Sequence, residues 1–352
     1  MRWNRLISLL LLSALLLACG REPVAEPVDT CQPILFSPSI SVETKTDYRD
    51  KPDDATVLLH VGSEAGVFGI WIEDPDAASP TPVRVFNNTR LHCDDVESPL
   101  NPANPAHSYW NYSPLKYWQN AGDYYFAAVF PYLPDDVRIR SEYFVQIAYK
   151  AGSNLDLMVS RAYRRVTSSD GVKPVNLAFN HATSAVRFLF GKSSSSDSDS
   201  FTLTDFKLMN LTVGGTLQVD TQISENQAIS FSAWTPGYRS NLSSVTDLPL
   251  SVPYPADPAD PEDYVQIGWY YMVPQDMSTD TAVKFSVSYN GETPVTTEIN
   301  LTDADNNGSA DRWLPNCVYN YYITLTTGGL SLTVKTIPWD EVQVTTNPFL
   351  FE

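Results

Sequence analysis

The sequence predicts an all-β protein, and three observations support that prediction. Short runs rich in β-branched and aromatic residues recur along the chain and are separated by turn-forming residues. Several runs alternate apolar with polar residues, as Ala282–Tyr289 does, which is the period of a half-buried antiparallel strand. No window of a dozen residues forms an amphipathic helix, and the 26 prolines are spread throughout, which disfavours long helices.

The predicted strands follow one another at short intervals. In order, they are Thr56–Val61, Val67–Ile72, Tyr124–Phe130, Tyr143–Tyr149, Val175–Phe179, Val186–Phe190, Phe201–Leu208, Val265–Val273, Val283–Tyr289, Thr296–Leu301, Tyr319–Thr326 and Leu330–Ile337. The Ser/Asp tract Ser193–Ser200 lies between two of them. We expect a hairpin tip there, with an interdomain linker as the alternative.

The N-terminus has the three-part layout of a secretory signal. Arg2 and Arg5 form a cationic head, and a leucine-rich run from Leu6 to Ala18 follows. That run is shorter than the about 20 residues that a bilayer-spanning helix needs. Ala18 followed by Cys19 looks like a bacterial lipobox, with cleavage after residue 18 and diacylglycerol on the Cys19 thiol; a simple signal with an incidental cysteine is the alternative. We expect a membrane-anchored protein that faces away from the cytoplasm.

Composition limits the number of domains and the class of partner. The chain carries 23 Lys and Arg against 41 Asp and Glu, a net charge of −18 that becomes about −20 without residues 1–18. Such a surface repels phosphate backbones, so no nucleic-acid partner is expected. The 334 remaining residues suggest two domains at about 100–200 residues each.

The chain divides into four segments. Residues 1–18 form the predicted signal peptide, and residues 19–54 form a Pro-, Asp- and Thr-rich tether with one apolar patch at Ile34-Leu35-Phe36. Residues 55–180 and 181–352 are predicted to be two β-domains. The boundary between them is placed near Pro174–Ser184.

The cysteines do not indicate a disulfide framework. After Cys19 the chain contains Cys31, Cys93 and Cys317, and an odd number excludes complete pairing. One disulfide is possible, and Cys31–Cys93 is the first pair to test, although the spacing does not establish it. A chain of this size buries a core without disulfides, so the cysteines are assigned no essential role.

An acidic loop near the C-terminus is the one candidate metal site. Its oxygen-bearing residues and glycine match the one-three-five-six-nine spacing of a calcium loop: Asp303, Asp305, Asn307, Gly308 and Asp311. The twelfth position holds Leu314 instead of a bidentate acid, and no flanking helices are apparent. A hairpin turn built from Asp, Asn and Gly is the alternative. Structural calcium is thus the only cofactor that the sequence suggests.

The chain contains few residues suited to catalysis. It has four histidines and no nucleophile elbow or metalloprotease helix, so we expect no enzyme. His181 has no partner Ser or Cys in a recognisable motif and is interpreted as a hydrogen-bonded structural residue, and Asp156 as a turn cap. Four large aromatic residues are expected in the core, with a glycan-stacking platform as the alternative: Trp110, Trp118, Tyr125 and Phe126.

Short motifs occur in a defined order across most of the chain. They are Trp110-Asn111-Tyr112, Tyr117-Trp118, Tyr125-Phe126-Ala127, Asp156-Leu157-Met158, Val175–His181 running into Ala185–Phe188, Trp313–Asn316, Tyr319-Asn320-Tyr321 and Ile337-Pro338-Trp339. Together with the lipobox, this set resembles the fimbrillin family of Bacteroidales, the lipoprotein subunits of type V pili. The order and spacing of the motifs look like that family across most of the chain after residue 18.

The resemblance implies a fold and a route of assembly. The fold would be two transthyretin-like β-sandwiches in tandem. A precursor would be lipidated and carried to the outer membrane, where a trypsin-like protease removes the lipid and the first β-strand. A strand of the next subunit would then fill the exposed groove by β-strand addition. The implied partners are other fimbrial subunits, the outer membrane through the lipid anchor, and a host or bacterial surface ligand.

Carried onto this sequence, the resemblance places the removable strand at Ile34–Val42. The cut would follow Lys45, Arg49 or Lys51, which lie in a polar stretch suited to protease access. The alternative is that these three residues are solvated charges in a linker.

The candidate donor strand is Val342–Phe351. Two sets of residues alternate along it: Val342, Val344, Thr346, Pro348 and Leu350 alternate with Gln343, Thr345, Asn347, Phe349 and Phe351. Pro348 removes one ladder hydrogen bond, which a terminal or edge strand tolerates. A C-terminal strand that completes its own domain is the alternative.

Two functions follow from these observations. The first is a structural or adhesive subunit of a cell-surface fimbria. The second is a non-polymerising outer-membrane lipoprotein that binds surface glycans or anchors a pilus. A glycan binder should expose a row of Trp and Tyr side chains, whereas a pilin should bury them. A hydrolase would need converging carboxylates or a nucleophile–base pair, and no local spacing supplies one.

Overall fold

The computed structural model describes residues 32–40, 63–94, 109–119, 121–151, 155–167, 174–196, 198–223, 227–302 and 311–338. Within these ranges the chain forms 22 β-strands and two 3-10 helices of three residues each. The prediction of an all-β protein is confirmed. No helix in these ranges is long and apolar enough to span a bilayer.

The N-terminal half contributes nine strands. They are β1 (Phe36–Ile40), β2 (Glu64–Ile72), β3 (Pro82–Asp94), β4 (Tyr109–Asn111), β5 (Gly122–Phe130), β6 (Val137–Ile139), β7 (Phe144–Lys150), β8 (Met158–Val166) and β9 (Val175–His181). Seven of them form a sheet that closes on itself in the order β1-β4-β3-β2-β5-β8-β9. Neighbouring strands in this sheet are antiparallel except β1 and β9, which run parallel.

The C-terminal half contributes thirteen described strands. They are β10 (Ser184–Lys192), β11 (Phe201–Thr212), β12 (Gly214–Asp220), β13 (Trp234–Pro236), β14 (Arg239–Ser243), β15 (Leu250–Ser251), β16 (Val265–Met272), β17 (Gln275–Asp276), β18 (Ala282–Tyr289), β19 (Val295–Asn300), β20 (Arg312–Trp313), β21 (Cys317–Thr326) and β22 (Gly329–Pro338). One sheet has the order β16-β10-β21-β22 and another the order β14-β11-β18-β19, with β15 also on β11. Strands β17 and β20 form a separate pair.

Aromatic side chains fill the interior of the closed sheet. Along β5, Tyr124 and Phe126 alternate with residues of the outer face and are fully buried. The outer face of this sheet is also covered in part, because Phe68, Ala127 and Val129 belong to the same buried core as Val145 and Ile147 of β7. Burial on both faces explains why β2 is apolar along nearly its whole length.

A second core lies between the sheets of the C-terminal half. Phe188 stacks on Tyr321 with ring centroids 4.8 Å apart, and Phe190 meets Phe285 edge to face at 5.0 Å. Val283 and Phe285 belong to this core, as the alternation of Ala282–Tyr289 predicts.

One sheet combines strands from both sides of residue 180. Its order is β13-β12-β7-β6, and β7 pairs with β12 along the whole length of both strands. The Trp234 indole nitrogen donates a hydrogen bond to the carbonyl of Ala182 at 2.9 Å, and the Tyr149 hydroxyl lies 2.8 Å from the carbonyl of Tyr271. Strands of both halves thus share backbone hydrogen bonds in one sheet. The division into a tandem pair of transthyretin-like sandwiches stays a prediction.

Most predicted strands within the described ranges coincide with observed ones. Thr56–Val61 lies outside the described residues. The hairpin expected at Ser193–Ser200 is wrong, because the strands on either side of it, β10 and β11, belong to different sheets. Polar residues between two apolar runs mark a connection, but they do not say whether the flanking strands pair.

Candidate assembly site

Strand β1 is inserted between two strands that are distant from it in the chain. It pairs in parallel with β9, with Phe36 opposite Val175 and Ile40 opposite Phe179. On its other edge, Phe36 lies opposite Trp110 of β4 in antiparallel register. The closed sheet therefore depends on β1, since no other described strand connects β4 with β9.

Backbone hydrogen bonds hold the start of β1 on both edges. The Val175 amide donates to the Leu35 carbonyl at 2.7 Å, on the β9 side. On the other side, the Ile34 amide donates to the Lys116 carbonyl at 2.8 Å, and the Trp118 amide donates to the Gln32 carbonyl at 3.2 Å. These contacts extend the anchored segment four residues ahead of the strand itself.

Pro38 falls where its missing N–H does not interrupt the pairing with β9. In a parallel ladder, the backbone groups of successive residues point to opposite edges, so residues two positions apart face the same edge. The backbone carbonyl of Leu35 faces β9, so the backbone groups of Ser37 and Ser39 also face β9. The backbone of Pro38 faces the β4 edge. The described pairing with β4 ends at Phe36, so a proline two residues later costs no described ladder bond.

Two side chains of this segment enter the core of the closed sheet. Ile34 is fully buried, and Phe36 is 3% exposed. The Phe36 ring meets three rings edge to face: its centroid lies 5.3 Å from Phe86, 5.7 Å from Phe126 and 5.9 Å from Tyr112. Full burial of each apolar side chain stabilises the fold by about 1.5–3 kcal/mol, and each aromatic pair adds about 0.5–1.5 kcal/mol.

Tyr112 makes both a polar and an apolar contact with the segment that contains β1. Its hydroxyl donates to the Ile34 carbonyl at 2.7 Å, while its ring packs on Phe36 and Phe86. Burial raises the pKa of Tyr112 to about 12, so the hydroxyl keeps its proton and remains a donor at physiological pH. The motif Trp110-Asn111-Tyr112 thus supplies both an edge for β1 and a hydrogen bond to it.

Strand β22 is the last described strand in chain order. It pairs with β21 over ten residues and is the outer strand of its sheet in the described part of the chain. It ends at Pro338, immediately before residues 339–352. Those residues contain the predicted donor strand, which the described ranges do not include.

The other predicted site residues fall mainly outside the described residues. These are Cys19, Lys45, Arg49, Lys51, Asp303, Asp305, Asn307, Val342, Val344, Thr346 and Leu350. Of the calcium loop only Asp311 is described; its amide donates to the Thr302 carbonyl at 2.7 Å and its carbonyl accepts from the Met277 amide at 2.9 Å. Lipidation, processing, strand donation, calcium binding and the Cys31–Cys93 disulfide stay predictions.

The described residues contain no group of three or more His, Cys, Asp or Glu side chains that could hold a metal ion. His181 is hydrogen-bonded, as expected: its Nδ1 lies 3.0 Å from Oδ1 of Asp156. The interpretation of Asp156 as a turn cap is wrong, since its carboxylate faces His181 and the hydroxyl of Thr183. The two residues are 25 positions apart, so no local motif could reveal the pair.

The aromatic residues named from the sequence are mostly internal. Trp110, Trp118 and Phe126 are buried, and Tyr125 is half-buried beside Tyr163. Among the side chains that the structure describes, three tyrosines outside this set are exposed: Tyr117, Tyr238 and Tyr254. Burial of the tryptophans matches what was expected of a pilin rather than of a glycan binder.

Sequence reasoning identified the segment around β1 but missed the residues that hold it. Phe86 lies in β3, which alternation did not predict, and Tyr112 was noted only as part of a motif. An aromatic residue two positions after Trp110 was the one available signal, because residues i and i+2 of a strand share a face.

Comparison with known proteins identifies the family. The sequence model described as fimbrillin-like matches residues 68–339. The chain belongs to the fimbrillin-like family, and this membership supports a role as a fimbrial subunit and a location in a cell-surface fimbria. A search of the curated proteins finds no match.

Solved structures of similar fold come from Bacteroides species. A fimbrial protein from Bacteroides vulgatus is 13% identical, with 87% of this chain and 99% of that chain covered and a TM-score of 0.54. A candidate cell adhesion protein from Bacteroides uniformis is 12% identical, with coverage of 88% and 99% and a TM-score of 0.53. Another from Bacteroides ovatus is 16% identical, with coverage of 87% and 97% and a TM-score of 0.52. At these identities the likeness establishes the shared fold.

Proposed function

We propose that this chain is a non-enzymatic structural or adhesive subunit of a cell-surface fimbria, assembled by exchange of β1 for a strand of another subunit. One observation carries the proposal. Strand β1 closes the sheet by pairing on both edges, yet it lies N-terminal to the predicted cleavage positions. A cut between β1 and β2 would leave β1 held by non-covalent contacts alone.

The proposed sequence of events starts with export. Acylated Cys19 holds the precursor at the outer membrane while β1 occupies its groove. Cleavage after Lys45, Arg49 or Lys51 then separates the anchor and β1 from the rest of the chain. Loss of β1 leaves open the edges of β4 and β9 and the apolar space of Ile34 and Phe36, which an incoming strand fills.

The physics of the exchange favours a long-lived joint. An empty groove exposes unpaired backbone groups and a row of aromatic rings, both of which are costly in water. A strand that restores the ladder and buries several apolar side chains regains about 1.5–3 kcal/mol for each of them. The segment Val342–Phe351 would be the strand that this chain inserts into the vacated groove of a neighbouring subunit.

The processing step is tested on intact cells of the native bacterium. The chain is produced as wild type and with Lys45→Gln, Arg49→Gln and Lys51→Gln combined; Arg138→Gln with Arg140→Gln, at two exposed positions, is the control. Mass spectrometry of the surface protein should find a terminus just after one of the three basic residues in the wild type and the control. The triple variant should keep acylated Cys19 and stay out of fibres. Fibre assembly by the uncleaved triple variant would overturn the proposal.

The alternative is an uncleaved lipoprotein that anchors a pilus or binds surface glycans. This alternative predicts that the wild-type protein at the cell surface keeps its acylated Cys19. The same mass spectrum distinguishes the two functions, because anchor and polymerising subunit differ at their N-termini.

A further inference from the structure

Arg187 is a buried cation on an inner strand of the C-terminal half. It lies in β10, and β10 and β21 are the two inner strands of the order β16-β10-β21-β22. Arg187 is 6% exposed, and Asn320, its register partner in β21, is 3% exposed. Val186 and Phe188, on either side of Arg187, belong to the main core. Because successive side chains of a strand alternate, Arg187 and Asn320 lie on the opposite face of the sheet.

Two amide side chains hold the guanidinium of Arg187. Its Nε donates to Oδ1 of Asn320 at 2.6 Å, and its Nη1 donates to Oε1 of Gln266 at 3.2 Å. Among the described residues, neither Nη2 of Arg187 nor Nδ2 of Asn320 has an acceptor. These N–H donors belong to two side chains that are bonded to each other, and they remain available to a ligand.

A β-bulge places Trp269 on the guanidinium. The pairing of β10 with β16 shifts its register across Arg187, so that Gly268 and Trp269 together lie opposite this one residue. Gly268 has a φ of 109°, which favours glycine at this position of the bulge. The guanidinium carbon of Arg187 is 4.5 Å from the centroid of the Trp269 ring. Trp269 is half-buried, so part of its ring is accessible beside the cation.

Arg187 has no counter-ion in the part of the chain that the structure describes. Arg312 also lies over an aromatic ring, that of Phe231, but it is exposed and forms an ion pair with Asp276. Burial lowers the pKa of Arg187, yet an arginine keeps its charge in proteins. A buried charge without a partner is costly, and an anion bound at this position would reduce that cost.

We propose that Arg187, Asn320 and Trp269 form a binding site for an acidic sugar of a surface glycan, such as a uronic acid or a sialic acid. The carboxylate of the sugar would accept hydrogen bonds from Nη2 of Arg187 and Nδ2 of Asn320, while the sugar ring packs on Trp269. This inference rests on the adhesive role in the proposed function and deepens it by naming the class of ligand.

The place of the site in the sheet favours a sugar over a peptide. The backbone groups of β10 and β21 pair with strands on both edges, so a peptide cannot reach the site by β-strand addition. An acidic side chain of a partner protein would use the cation but leave the ring of Trp269 uncovered. A sugar acid uses both, because its carboxylate is attached to a ring with an apolar face.

Glu262 should oppose the ligand. Burial lowers the pKa of Arg187, and the carboxylate of Glu262 is one of the groups that raise it in return. Glu262 is exposed, so its replacement should not disturb the core. Because it acts on the same cation as the incoming carboxylate, Glu262→Gln should strengthen binding of an acidic sugar.

The test measures binding of soluble probes to the purified full-length chain by ligand-observed NMR titration. Glucuronate and N-acetylneuraminate carry the carboxylate, and glucose is the neutral counterpart of glucuronate. A blocked tripeptide with a central glutamate presents a carboxylate without a sugar ring. The variants are Arg187→Gln, Trp269→Leu and Glu262→Gln. Arg312→Gln is the matched control, since it removes the same charge from a guanidinium that already has a carboxylate partner.

The acidic sugars should bind the wild type and Arg312→Gln equally, and more tightly than glucose or the peptide. Arg187→Gln should weaken their binding about ten- to a hundredfold, because a hydrogen bond to a charged group is lost. Trp269→Leu should weaken it as well, and this variant carries the test if a thermal melt shows that Arg187→Gln does not fold.

Three results would overturn the proposal. The first is that neither acidic sugar binds more tightly than glucose, and the second is that Arg187→Gln and Trp269→Leu both bind like the wild type. The third is that the peptide binds as tightly as the sugars, which would point to a carboxylate of a partner protein. None of these measurements involves fibre assembly, so they fail or succeed separately from the N-terminal processing test of the proposed function.

Discussion

The carboxylate of Asp156 lies 3.0 Å from Nδ1 of His181 through Oδ1 and 2.8 Å through Oδ2. Both side chains are nearly buried, at 10% and 13% exposed. His181 is the last residue of β9, and Ala182, which follows it, accepts the hydrogen bond from Trp234. The pair therefore lies where β9 leads into the C-terminal strands.

Breaking this pair should destabilise the fold. We expect His181→Ala and Asp156→Ala each to lower the free energy of unfolding by about 1–3 kcal/mol, because each removes one side of a nearly buried hydrogen bond. The double variant should cost less than the sum of the two single variants, and urea titrations of all four proteins measure that coupling. Strict additivity would show that the contact contributes nothing.

The side chain of Phe36 should contribute most of the stability that β1 provides. Phe36→Ala removes a ring from contact with three others, and we expect a loss of about 3–5 kcal/mol in the free energy of unfolding. Leu35→Ala, at a half-buried neighbour, is the control and should cost clearly less. Chemical denaturation of both variants tests the difference, and similar losses would contradict it.

Gly69 should not tolerate a side chain. Gly69→Ala places a methyl group within 2.9 Å of the Phe86 ring, and overpacking of this kind costs about 1–3 kcal/mol. Gly328→Ala is the matched control, because a Cβ there meets no atom within 4 Å. A thermal melt should show a lowered midpoint for Gly69→Ala alone. An unchanged midpoint would mean that Phe86 and Phe126 shift without cost.

The ion pair of Asp123 and Arg165 should make stability depend on pH. Hydrogen bonds from the Arg165 guanidinium hold the pKa of the Asp123 carboxyl below its usual range; burial opposes this effect, and a hydrogen bond from the Tyr163 hydroxyl adds to it. A carboxyl with a depressed folded-state pKa stabilises the fold above its unfolded pKa of about 3.9. That contribution is lost as the pH falls through the folded value.

Replacing Arg165 should remove this dependence. Arg165→Gln is expected to lower the free energy of unfolding at pH 7 and to have a smaller effect near pH 3, which lies below the unfolded-state pKa of about 3.9, so that the contribution of the ion pair is already partly lost. Urea titrations at the two pH values measure the change. Lys207→Gln, at an exposed and more distant ion pair with Asp205, is the control. An equal loss at both pH values would contradict the assignment to Asp123.

Strand prediction worked for β18, where one face of the strand is apolar. Val283 and Phe285 alternate with polar residues, and both are buried. Alternation failed for β8, where Arg161, Arg164 and Arg165 interrupt the apolar pattern. It failed also for β3, which pairs with β2 through shifts of register and contains Asn88 at a φ of 46°. A bulge changes which residues face the core, so strict period two no longer describes the strand.

The sequence by itself determined the fold class, the segment that contains β1 and the family to which the chain belongs. These properties depend on local patterns of apolar, aromatic and turn-forming residues. Only the tertiary structure decided that β1 lies parallel to β9, 139 positions later at Phe36 and Val175, and that Phe86, Tyr112 and Phe126 surround its ring. Backbone edges are chemically alike in every strand, so their pairing depends on how the whole set of strands packs together.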